Sequence, residues 1–140
     1  MLQLKNRIKL SALTLLVDSG FVYSLFTLKL DKYDRLFSIS VLSIHSLFQY
    51  YLYKNDQKKL DLLHCFLPIL LIGASGLHHP FLIFISLILL CAVKILWVFE
   101  ERCILNNKKD TWGFTKASEV GVIILQVLLS VKLGYNIKKM

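Results

Sequence analysis

Apolar runs close to the length of a bilayer crossing recur along this chain, separated by short connections in which most of the charged residues gather. A helix rises about 1.5 Å per residue and the hydrocarbon core is about 30 Å thick, so one crossing needs roughly 20 apolar residues. The runs fall at 10–30, 36–53, 60–77, 81–99 and 117–133. In lipid a segment must satisfy its own backbone N–H and C=O groups, which a helix does and a lone strand does not. The pattern predicts an all-α fold: a polytopic transmembrane helical bundle of about five spanning helices, forming a single domain over 1–140. Composition points the same way, because 56% hydrophobic against 19% charged residues is too apolar for an ordinary soluble domain of this length.

The third and fourth runs would merge into one long helix were it not for Gly73-Ala74-Ser75-Gly76 followed by His78-His79-Pro80. Glycine frees the backbone, Pro80 disfavours helical geometry at His79, and proline itself suits the first turn of the next helix. A tight helical hairpin is expected there. Pro68 lies inside the third run and is expected to kink it. Two alternatives stay open. The third run, with Pro68, a glycine-rich end and Asp61 near its start, also fits a re-entrant segment, which would leave four crossings. Lys5 to Lys9 followed by a short apolar stretch and Val17-Asp18-Ser19 has the order of a cleaved signal peptide, although apolar character resumes at Phe21.

The net charge of +8 is the footprint expected of a phosphate-binding surface, but the basic residues are dispersed through connections between apolar runs and nothing resembles a recognition module. Nucleic acid is therefore not the expected partner. Lys and Arg in such connections fix orientation and meet anionic headgroups. With five crossings and a cytoplasmic N-terminus, ten of them (Lys5, Arg7, Lys9, Lys54, Lys58, Lys59, Arg102, Lys108, Lys109, Lys116) fall on the cytoplasmic side and six on the other, a modest positive-inside bias. Tyr50, Tyr51, Tyr53, Trp97 and Tyr135 suit interfacial anchoring.

Polar residues inside spanning helices are costly and usually face protein or a wet cavity, so they are the best pointers to function. Asp18, His45 and Gln126 lie near the middle of the first, second and fifth runs. Asp18 stands about 12 Å of helix beyond Leu10, too far for its short side chain to reach water, so it needs a partner within the bundle. It could exchange a proton or bind a cationic solute, or it could lock the bundle by hydrogen bonding to His45 or Gln126. Gln49 is four residues from His45 and shares its helical face. Nearer the cytoplasmic ends, His64, Lys94 and Glu119 form a second layer in which Lys94 and Glu119 could pair. Their plainer roles are a snorkelling lysine and an acid favoured by a helix N-terminus. Small residues at Ala117 and Gly121 and at Gly73 and Gly76 would allow close helix contacts.

No HExxH, GxSxG, P-loop or dinucleotide-binding glycine pattern is present. Cys65, Cys91 and Cys103 show neither CxxC nor zinc-finger spacing, so neither a metal site nor a cofactor is predicted. The expectation is a non-enzymatic membrane protein acting by assembly with itself, as a homo-oligomer, or with a membrane-protein partner. Its exposed contact surface is expected in the loop 106–116, where Lys108 and Lys109 meet Trp112 and Phe114. The alternatives are a small oligomeric transporter or channel using a midplane Asp18, and a redox or cofactor protein using His45 and His64.

Overall fold

A computed structural model describes residues 4–64, 66–99 and 112–138. Every regular element among them is an α-helix: α1 (Leu4–Thr27), α2 (Lys32–Lys54), α3 (Gln57–His64), α4 (Leu67–Ala74), α5 (Pro80–Phe99) and α6 (Trp112–Lys138). By length and composition, Leu4–Thr27 and Val120–Lys138 are long and apolar enough to cross a membrane, and Pro80–Ala92 is a shorter apolar stretch.

Local chemistry sets the helix ends. Asp31, in an extended conformation, caps α2 by accepting the Asp34 N–H at 2.8 Å, so the helix starts four residues ahead of the apolar run. At the other end of α2, Asn55 adopts the left-handed conformation with φ 55°, and the Asp56 N–H reaches back to the Tyr51 carbonyl at 3.1 Å. The run 60–77 does not form one kinked helix. It divides into α3 and α4, because Pro68 sits in the first turn of α4, where a missing N–H costs nothing, rather than within a continuous helix. The hairpin expected at 73–80 is present: α4 ends at Ala74 and Pro80 opens α5.

The closest helix pairs are α1 with α2 and α5 with α6, and α1 against α5 joins them. The core runs through all of these: Val17 and Phe21 of α1, Val41 of α2, Leu82, Ile83, Ile85 and Leu90 of α5, and Val122, Leu125 and Leu129 of α6. The spacings 17 to 21 and 122, 125, 129 put each set on one helical face. At Gly20 α1 packs closely against α5, since a Cβ there would lie 2.5 Å from Ile85 Cδ1.

Candidate functional site

Three polar residues of α1 that reach α2 lie on one stripe. Arg7, Ser11 and Asp18 recur at intervals of four and seven, which bring them to nearly the same azimuth on a helix of 3.6 residues per turn. The antiparallel α2 presents Leu52, Gln49 and His45 in reverse order, so the partners meet level by level. Arg7 donates from Nε to the Leu52 carbonyl at 2.9 Å and from Nη2 to the Tyr53 carbonyl at 2.6 Å, satisfying carbonyls in the last turn of α2. Ser11 Oγ donates to Gln49 Oε1 at 2.8 Å, and Gln49 Nε2 donates back to the Ser11 carbonyl at 3.0 Å.

Asp18 Oδ1 and His45 Nδ1 are 2.5 Å apart, with the side chains 17% and 11% exposed. With the proton on Nδ1, the imidazole donates and the carboxylate accepts. An acid and an imidazole in this arrangement can lock two helices, since each satisfies the other's buried polar group, and can also hold a proton between them.

The remaining residues singled out by their sequence positions lie elsewhere. Gln126 faces α5, donating from Nε2 to Cys91 Sγ at 3.6 Å, and does not join Asp18 and His45. Lys94 is half-buried on α5. The side chains of His64, Glu119, Trp112 and Phe114, with Lys108 and Lys109 entirely, fall outside the described residues, and with them the possible Lys94–Glu119 and His45–His64 pairings. Gly73 packs against the Phe37 ring, whereas a Cβ at Gly121 would meet nothing within 4 Å.

A second polar cluster, at the opposite end of the bundle from Arg7, was not anticipated from the sequence. Asp34, 1% exposed, accepts the His78 N–H on Oδ1 at 2.9 Å and the His79 N–H on Oδ2 at 2.8 Å. One carboxylate thereby fixes the backbone of the turn between α4 and α5. Asp31 Oδ2 lies 2.7 Å from His78 Nδ1, and Tyr33 Oη donates to the Gly73 carbonyl at 2.7 Å. From the other side, α6 holds the same turn through Lys132 Nζ to the Ser75 carbonyl at 2.7 Å and Asn136 Nδ2 to the His78 carbonyl at 2.9 Å. The Asp31 carboxyl is held below its ordinary value, first by the Asp34 N–H and then by His78, with desolvation working against them.

Asp31, Asp34 and His78 offer ligand atoms within 4.8 Å of one another, a donor set that a divalent cation could use. Both Asp34 oxygens are already engaged by backbone amides, however, so the arrangement reads as a hydrogen-bonded latch. The sequence does carry a signal for it: Asp-x-x-Asp at 31–34 ahead of an apolar run has the spacing of a helix cap and its third residue. Arg7 had none, because a backbone carbonyl leaves no mark in the sequence of the helix that offers it.

Comparison with protein-family models, curated proteins and solved structures found no match to this chain.

Proposed function

We propose that the chain is a multi-pass membrane protein of about five spanning helices, with a cytoplasmic N-terminus, that works as a non-enzymatic assembly or accessory subunit with copies of itself or with a larger membrane partner. The membrane placement rests on where the apolar side chains point. A core helix of a soluble protein passes the same test of length and composition, but it is mostly buried; the apolar windows of α1 and α6 are only 22% and 11% buried. Leu15, Leu16, Val22 and Phe26 on α1, and Ile123, Ile124, Val127, Leu128 and Val131 on α6, are exposed. In water, apolar surface on this scale is an association liability, and in a bilayer it is the solvated face. A signal sequence would account for α1 near the N-terminus and leave α6 unexplained.

What favours an assembly role over a solute site is that the polar groups are spent on one another within the chain: Asp18 with His45, Ser11 with Gln49, Gln126 with Cys91. These contacts hold helix to helix, as polar residues between packed membrane helices do. The proposed contact surface is the segment 106–116, of which Trp112 to Lys116 open α6 rather than belonging to a loop. Chemical cross-linking in native membranes tests this: a complex larger than the monomer is expected, weakened by Lys108→Glu with Lys109→Glu and by Trp112→Ala with Phe114→Ala. A strictly monomeric protein, or a complex indifferent to all four changes, contradicts the role or its surface.

A second reading, a small oligomeric transporter or channel that moves protons or cations, would take the Asp18–His45 pair as its site, since an acid and an imidazole in contact can hold a proton between them. Proton and cation flux in liposomes separates the two. Flux that Asp18→Asn abolishes at matched insertion would promote this reading over assembly.

A further inference from the structure

The end of the bundle formed by the start of α1, the last turn of α2 and the start of α3 combines cations with exposed apolar side chains. Lys54 Nζ lies 5.9 Å from the centre of the Tyr50 ring, and Lys59 Nζ lies 4.9 Å from that of Tyr51. Each ammonium is thereby held at the level of an aromatic ring whose own preference is the boundary between hydrocarbon and water. Arg7 spans from α1 to the carbonyls of Leu52 and Tyr53, bringing a third cation to the same turn. Lys54, Lys58 and Lys59 share this surface with Asp56, which lies 3.8 Å from Lys59, and with Asp61 on α3, which accepts from Gln57.

We infer that this surface binds the headgroups of anionic glycerophospholipids in the leaflet it faces. The inference rests on the membrane placement proposed above and adds the chemistry of the lipid. Charge complementarity calls for an anion, and the neighbouring apolar side chains select which kind. Leu4, Ile8, Tyr53 and Leu62 are exposed beside the lysines, so the fitting ligand carries an anionic head joined to acyl chains. A soluble phosphate would leave that apolar rim in water, and a nucleic acid would bring nothing to cover it. The other end of α2 differs: Lys29, Lys32 and Arg35 stand with Asp31 and Asp34, and among the described residues none of these three cations lies over an aromatic ring.

The test is lipid selectivity of the full chain in bilayers of phosphatidylcholine with one-fifth phosphatidylglycerol, read by electron spin resonance of spin-labelled lipids. The motionally restricted component is expected to prefer phosphatidylglycerol about fivefold in the wild type, on the scale of one well-placed lysine near a charged surface. Lys54→Gln with Lys58→Gln and Lys59→Gln should bring the preference close to one. Lys29→Gln with Lys32→Gln and Arg35→Gln removes the same charge and should leave most of it. Circular dichroism checks that both variants keep the wild-type helix content. A preference retained by the first variant, or lost equally in both, overturns the inference while leaving the membrane placement intact. Absence of any restricted lipid around the wild type would overturn the placement and the inference together.

Discussion

Asp18 and His45 illustrate how a single pair can be structural and chemical at once. Removing either side chain leaves the other as a partly buried polar group without its partner, a loss of about 1–3 kcal/mol. Asp18→Ala and His45→Ala should therefore each lower stability by that order, and the double variant should lose clearly less than the sum. Equilibrium unfolding in mixed micelles measures the cycle, and strict additivity would deny the contact. At Asp31 the expectation concerns pH. Its carboxyl is held below the ordinary value of 3.8 in the folded chain, so its stabilising contribution is complete above that value and is lost as the pH falls below it. Wild type should accordingly lose more stability between pH 7 and pH 3 than Asp31→Asn does; equal losses would remove Asp31 from the latch. The two clusters also differ in what the sequence could express. Asp18 and His45 sit mid-run in consecutive antiparallel helices, so their depth can be counted from residue numbers. The role of Asp34 depends on two backbone amides more than forty residues away, which no side-chain pattern encodes.

Between elements, the α4–α5 turn shows how closely the helices must approach to close the bundle. A Cβ at Gly76 would lie 2.5 Å from Tyr33 Oη and 2.7 Å from Cζ, so the ring would have to move and its hydrogen bond to the Gly73 carbonyl would be strained or lost. Gly76→Ala should cost about 1–3 kcal/mol, as overpacking does. Pairing it with Tyr33→Ala should recover part of that loss, and no recovery in the unfolding midpoint would place the cost elsewhere. Helix positions were the most legible feature, because hydrophobic run length reports them directly; α5 at Pro80–Phe99 lies within one residue of the run at 81–99. Helix ends were less legible. In α2 the cap lies among charged residues that read as a connection, and in the third run the break at Pro68 depends on a new first turn being cheaper than a kink.

For the whole molecule, the two polar clusters mark opposite ends of one bundle. Arg7, Leu52 and Tyr53 meet at one, while Asp34, His78, Lys132 and Asn136 gather at the other. The five crossings proposed above would bring these groups to those ends: the N-terminus and the α2–α3 connection on one face, the α1–α2 connection, the α4–α5 turn and the C-terminus on the other. The direct measurement is labelling of single cysteines by a membrane-impermeant maleimide in sealed vesicles of known sidedness, on a background with Cys65, Cys91 and Cys103 replaced by serine. Lys5→Cys, Asp56→Cys and Lys108→Cys should label from the cytoplasmic face, and Lys29→Cys, His79→Cys and Lys139→Cys only from the opposite face. Labelling of all six from one face, or a protein released from the vesicles by alkaline carbonate, would contradict the multi-pass account.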